Sequence, residues 1–456
     1  MATFETRIGD ILASKDFLSK HPGSSQLGSD IYSSAVNSTS EIILRSRAVG
    51  RYVSNATSLG FGAQSSFFLT PGSIMNGIVV SGSVVLPQYA RAPQLWALNA
   101  LDSVELVISG SSSIQSLKIN SRSHMDMILA TLSAEKVNAL KRANNYIDLN
   151  GGGATVNFSV PLHLFFSSVE IKSVFPLDTS TLQSQIIVNL RWKPNYEIFS
   201  SDGTNAITLP TGFNTLYLRV GDQVEISNDF ALANELRSDP TMIYSLPGSY
   251  LQSFVETQNV TVVGPTANEN QVSLTSMPSG QLQGMLVSAR AVSTKGSSDN
   301  STLIKLFAEF ESMRILYNGT EYYRADSKNE LQLFNSQSTC QDSGVYNEWL
   351  GHSVVTAAAN VVAYQGVPVI LVPFSNEFSQ ILRNRRHEHC RDYSGTSIQL
   401  FYRIAAGTDY NDDTNPISGG AASPLANPAA SNYEINITFI NAGLYEISQQ
   451  TVSLQM

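Results

Sequence analysis

The densest run of reactive side chains is Arg383-Asn384-Arg385-Arg386-His387-Glu388-His389-Cys390-Arg391. In an extended run, His387 and His389 point to one side and Cys390 to the other. With Cys340 they could supply nitrogen and sulfur ligands to zinc. Four arginines surround that site and repel a cation, so neither a metal nor a cofactor is expected. A barrel enzyme built on His-x-His would also want a glycine several residues earlier and a later Glu and His. Leu382 and the arginines stand there instead, and the whole chain has six His. Arg383, Arg385, Arg386 and Arg391 are therefore read as a subunit-interface patch meeting a neighbour's acids. The alternatives are a solvated loop, or an inward contact with nucleic acid or lipid headgroups.

Other chemistry-bearing patterns are missing. No G-x-S-x-G, P-loop or H-E-x-x-H occurs. Gly60-Phe61-Gly62 lacks a third glycine, and Gly151-Gly152-Gly153 precedes the strand-like TVNFSV, so it reads as a turn. No enzymatic activity is expected. The net charge of −9, with 28 Lys+Arg, weighs against broad phosphate neutralisation, so no specific nucleic-acid partner is expected. Two cysteines are too few for a disulfide scaffold. The opening MATFETRIGDILASKDF has acids and no apolar core segment, so no secretory signal is expected. Charged residues make up 14% of the chain, against roughly 25% in ordinary domains. Such a deficit suits a surface largely hidden against neighbours. Near the start, Ile8, Ile11 and Leu12 form an apolar stripe at helical spacing. That stripe can pack on its own barrel or clamp a neighbouring subunit.

The elements that must position these residues are mostly strands. SEIILRSRAV, NGIVVSGSVVL, SVELVISG, TVNFSVPLHLFF, SQIIVNLRW and NTLYLRVGDQVEIS are short, rich in β-branched or aromatic residues, and punctuated by turn clusters. One helix is predicted from Ser133, in SAEKVNALKRANN, with Ser133 as its cap. Many short strands imply a sandwich or barrel.

The second half of the chain repeats the first in order. SEIILRSRAV answers SYLQSFVETQ. Pro71 and Gly77 answer Pro278 and Gly284, and Ser103–Gly110 answers Ser312–Gly319. The Ser133 helix answers a weaker one from Asp342 to Leu350. Val160-Pro161 answers Val367-Pro368, Arg191 answers Arg403, and Val224–Ser227 answers Tyr445–Ser448. The separation is 207 residues for Pro71 and Pro278, then 212 for the arginines and 221 for Ser227 and Ser448. An insertion in the Gly/Ala/Pro/Asn-rich stretch from Gly407 to Ser431 fits that growth. The chain is expected to divide into an N-terminal arm (1–39), a first β-domain (40–230), a connector (231–245) and a second β-domain (246–456). Residues 40–230 and 246–456 should be two copies of one fold. A helix should precede each Val-Pro strand, and Val-Pro should mark the same strand start in both. Arg191 and Arg403 should sit late in equivalent strands and point away from the barrel core.

The run Val160-Pro161-Leu162-His163-Leu164-Phe165-Phe166, then Phe175-Pro176-Leu177, then Gln185–Trp192, resembles the late strands of the first barrel in a known family. These are the double jelly-roll major capsid proteins of the nucleocytoplasmic large DNA virus, virophage, adenovirus and tailless phage lineage. The likeness spans about residues 40–456 in architecture and about 155–195 in motif. It implies an all-β chain of two consecutive eight-stranded jelly-roll barrels with short inserted helices. It implies homotrimers that tile a capsid shell as pseudo-hexagonal units, touching neighbouring capsomers, minor capsid proteins and, where a virion has one, an internal membrane. It implies assembly inside the host cell and location in the virion. A minor capsid or vertex protein, or a two-domain carbohydrate-binding spike protein, is the alternative. A sugar binder would want clustered exposed Trp, and the chain has only Trp96, Trp192 and Trp349.

Overall fold

The computed structural model describes residues 44–47, 52–53, 59–69, 78–93, 95–109, 114–131, 139–140, 142–144, 147–162, 185–220, 223–226, 244–261, 269–274, 281–302, 304–338, 354–355, 362–363, 369–374, 391–392, 397–405, 430–447 and 452–455. Alternation of apolar and polar residues builds its strands. In Ile78–Leu86, every second side chain is buried and the intervening ones are more exposed; Ile398–Ile404 repeats the pattern.

The first half contains β1 (Leu44–Arg47), β2 (Tyr52–Val53), β3 (Gln64–Leu69), β4 (Ile78–Leu86), β5 (Arg91–Ala92), helix α1 (Trp96–Ala100), β6 (Leu101–Ser109), β7 (Ile114–Asn120), helix α2 (Ser121–Thr131), β8 (Ile147–Asp148), β9 (Ala154–Leu162), β10 (Gln185–Trp192), β11 (Thr215–Val220) and β12 (Gln223–Ile226). The second half contains β13 (Tyr244–Thr261), β14 (Asn270–Leu274), β15 (Gln281–Ala291), β16 (Phe310–Tyr317), β17 (Thr320–Ala325), helix α3 (Lys328–Ser338), β18 (Val354–Val355), β19 (Val362–Ala363), β20 (Val369–Pro373), β21 (Arg391–Asp392), β22 (Ile398–Ile404), β23 (Ala430–Ile447) and β24 (Val452–Gln455).

Each half forms two four-stranded antiparallel sheets. In the first half the orders are β2-β11-β4-β9 and β3-β10-β6-β7. In the second they are β13-β23-β15-β20, extended by β21 and β24, and β14-β22-β16-β17. The two orders correspond strand for strand, and in both the sequence interleaves the sheets as a jelly roll does. The short pair β1–β12 in the first half corresponds to the outer reach of the 18-residue strands β13 and β23.

The expected repeat is visible at single residues. Arg191 is penultimate in β10 and Arg403 in β22; Ser103 faces Arg191 across the ladder and Ser312 faces Arg403. Arg191 points out to solvent and pairs with Asp102 at 3.2 Å. Gly82 and Ala289, 207 residues apart, are the small inward residues of β4 and β15. A Cβ on Gly82 would lie 2.7 Å from the Phe158 ring, so only glycine fits.

Two expectations need correction and one is incomplete. Within the helix predicted from Ser133, Ala139, Leu140, Arg142 and Ala143 are helical, while its cap and the Asp342–Leu350 helix lie outside the described residues; helices α2 and α3, further upstream, were not predicted. Pro161 is not at a strand start: it is penultimate in β9, an edge strand, where its missing N–H costs no ladder bond. Val367-Pro368 lies outside the described residues, just before β20. Finally, Val53 lies against Leu218 and Phe254 against Ile437, while Leu218 and Ile437 flank Val80 and Val287. SEIILRSRAV therefore matches the stretch ending at Tyr250, not the one beginning at Ser249.

Aromatic side chains fill the first barrel. Trp96, Phe158, Trp192, Phe199 and Phe213 are all buried, with Trp192 and Phe213 ring centres 4.5 Å apart. The Trp192 indole N–H donates to Ser65 Oγ at 2.9 Å. Neither Trp96 nor Trp192 is available to stack on a sugar.

Candidate functional site: the junction between the barrels

Of the residues singled out in sequence, Ile8, Ile11, Leu12, Arg383, Arg385 and Arg386 lie outside the described residues, as do Cys340, His387, His389 and Cys390. Arg391 is placed in β21, its backbone beside Leu282 at the start of β15. The site the structure does build was not anticipated: a buried polar seam where α2 of the first barrel seats on the β13-β23-β15-β20 sheet of the second.

The seam begins with a helix start. Asn120, the last residue of β7, accepts a bond from Ser123 N–H at 2.7 Å and so caps α2. Its amide also donates to Ser253 Oγ of β13 at 2.6 Å. One turn of helix then projects Arg122, Ser123 and Asp126 at the second barrel. Arg122 Nε donates to Ser288 Oγ at 2.9 Å, and its two terminal nitrogens donate to the carbonyls of Leu306 and Ala289. The guanidinium lies 4.0 Å from the Phe307 ring centre. Ser123 and Thr438 hydroxyls are 2.7 Å apart. Asp126 Oδ2 accepts from Ser288 Oγ at 2.5 Å and from Asn436 Nδ2 at 2.9 Å.

Asp126 is fully buried, and its other oxygen lies 3.5 Å from Arg122 Nε. Burial pushes its carboxyl above the usual aspartate value, while Arg122, Ser288 and Asn436 pull it back. A buried pair of this kind contributes little net stability over an apolar one, yet breaking it strands a charge. Its effect is to fix one orientation of the barrels.

A second contact brackets the first. The Lys193 ammonium is buried and donates to Asn99 Oδ1 at 2.9 Å, while Asn99 Nδ2 donates to the Glu197 carbonyl. Burial, then the nearby Arg290 charge, holds Lys193 well below the usual lysine value. From the second barrel, the turn at Gly296 approaches the Tyr196 carbonyl so closely that a Cβ would lie 2.1 Å from it. Ser201 N–H donates to the Asn300 carbonyl at 2.7 Å, and Asn300 Nδ2 to the Ile207 carbonyl at 3.2 Å. Glu434 binds both Arg290 and Lys295 beneath this turn.

No family model matches the chain, and no curated protein matches it. Among solved structures it is similar to the VP54 protein of PBCV-1, with TM-score 0.59 and 16% identity over 88% of this chain and 94% of that one. The Faustovirus major capsid protein superposes with TM-score 0.51 and 8% identity over 98% of both chains. The chain is a double jelly roll. The Sputnik virophage structure carries the same likeness, with TM-score 0.55 and 10% identity over 92% of this chain and 91% of that one. Within this double jelly roll the seam residues carry one readable signal. Arg122 and Asp126 are charges at i, i+4 in an otherwise weakly polar segment. Ser288, Asn436 and Thr438 carry none, because polar residues on alternate strand positions look like a solvent face.

Proposed function

We propose that this double jelly roll is the major capsid protein of a tailless icosahedral double-stranded DNA virus, a building block of the virion shell and not an enzyme. Three chains would place six barrels around one axis and form a pseudo-hexagonal tile. The observation that carries the reading is the junction: two copies of one barrel are locked side by side by a buried polar seam, as a tile of fixed shape requires. The match to the Faustovirus major capsid protein over 98% of both chains supports it. The low charge content fits a chain that hides surface against neighbours. In this reading the arm (1–39), with Ile8, Ile11 and Leu12, clamps a neighbouring subunit, a minor capsid protein or an internal membrane. The basic run Arg383–Arg391 meets acids of an adjoining subunit. Light scattering of the purified protein tests the assembly: the expected mass is three chains, and a monomer at every concentration overturns it.

A further inference from the structure

Lys193 and Asn99 form a pair that the barrel fold does not require. Lys193 N–H donates to the Ala100 carbonyl at 2.9 Å, and in the second barrel Ala405 N–H donates to the Glu309 carbonyl at 2.8 Å. Lys193 and Ala405 each lie two residues beyond the matched arginines, Arg191 and Arg403, so this backbone bond is the same one in both copies. In that register the counterparts of Lys193 and Asn99 are Ala405 and Ala308, both buried. Two alanines fill the second barrel where the first buries an amine and an amide. Burying those polar groups costs free energy that two methyl groups avoid, so packing alone does not explain the pair.

The geometry is that of two reactants. Lys193 Nζ lies 2.9 Å from Asn99 Oδ1, and Asn99 Nδ2 donates to the Glu197 carbonyl at 3.0 Å, so both ends of the amide are held. The backbone bond at Ala100 keeps the two residues together. Asn99 is fully buried, as is the whole of α1, and this keeps out water. Groups held in contact react as if at very high concentration. A primary amine attacks only as the free base. Burial, and then the Arg290 charge, favour that form of Lys193. Glu197 brings a carboxylate whose charge acts on both Lys193 and Arg290.

We infer that Lys193 and Asn99 join in an intramolecular isopeptide bond once the chain has folded. Nζ attacks Asn99 Cγ and forms the new C–N bond. The Cγ–Nδ2 bond breaks, one proton passes from Nζ to Nδ2 by way of the Glu197 carboxylate, and ammonia leaves. No oxidant or cofactor is consumed. The bond ties α1 to the residue that follows β10, 94 positions along the chain, and restricts the unfolded state as a disulfide does. The inference does not rest on the capsomer reading.

Mass spectrometry of the full chain, purified and then denatured, tests it. The expected mass is that of the sequence less one ammonia, with one branched tryptic peptide joining residues 92–118 to residues 192–219. Lys193→Arg and Asn99→Ala should each keep the complete mass. Glu197→Gln should slow the loss by on the order of a hundredfold, and Glu197→Asp should recover part of the rate. Asn-Gly pairs such as Asn150-Gly151 and Asn318-Gly319 also shed ammonia as cyclic imides, so the branched peptide decides. The free amine, with any pH dependence it confers, belongs to chain of complete mass. A folded wild type that keeps its complete mass on prolonged incubation overturns the inference. So does an ammonia loss with residues 92–118 and 192–219 recovered as separate peptides.

Discussion

Asp126 shows what a single buried carboxylate does at this junction. It accepts hydrogen bonds from Ser288 and Asn436 and forms an ion pair with the Arg122 guanidinium, so three elements meet at it. Asp126→Ala leaves the partly buried Arg122 without its counter-charge, Ser288 Oγ without its acceptor and Asn436 Nδ2 without one of its two. Losing one partner of a buried pair costs about 3–5 kcal/mol, so chemical denaturation should show a loss of that order. A change under about 1 kcal/mol would mean that the seam is not closed as described. Lys193 makes a prediction about pH. Its folded-state pKa lies well below the unfolded value, so the unfolded chain binds the proton more readily over the interval between them. Stability contributed by this group therefore rises with pH across that interval and is lost as pH falls through the folded value. Lys193→Met should flatten the rise in melting temperature from neutral to about pH 10 relative to wild type. Parallel profiles would contradict the burial of its charge. Lys193 carries no signal in the sequence, and the i, i+4 spacing of Arg122 and Asp126 marks a helical pair without marking its burial, which across a domain junction has no local signature.

Among the elements, the strands were the most legible. Alternation and turn punctuation located them, and the sequence repeat matched Ser103 to Ser312 and Arg191 to Arg403; that Ser103 faces Arg191 and Ser312 faces Arg403 is a property of the folded ladders. The helices were less so. The S-x-x-E of Ser327 and Glu330 is a readable capping signal for α3. Helix α2 follows β7 without a break, and its cap, Asn120, belongs to the strand. The Val-Pro pairs misled because proline tolerates either end of an edge strand, so two prolines need not share a register. The turn at Gly296 carries the element-scale prediction. Its φ of +107° and its approach to Tyr196 join the two barrels through backbone alone. Gly296→Ala requires both a strained backbone and a shift of one loop, and should cost about 1–3 kcal/mol. An unchanged denaturation midpoint would show that the loops can part without loss.

At the scale of the molecule, duplication explains features that single residues do not. One barrel design used twice gives each chain two copies of the helix and of the sheet, and the internal seam joins the helix of the first copy to the sheet of the second. In the second barrel's main sheet, β15, β20 and the middle of β23, where α2 packs, are buried on both faces; β20 reads VILVP, with its first four residues buried. The first barrel's equivalent β9 alternates, with its outward residues more exposed. The legible part of the sequence was the repeat, and the illegible part was the polarity of its contact, which depends on which face of each copy is covered. The central claim, that this chain is a capsid tile, is tested most directly by electron microscopy of the purified protein in negative stain. The account predicts flat particles of hexagonal outline containing three chains and six barrel-sized densities around a central axis. A field of isolated two-lobed particles, one chain each, would contradict it.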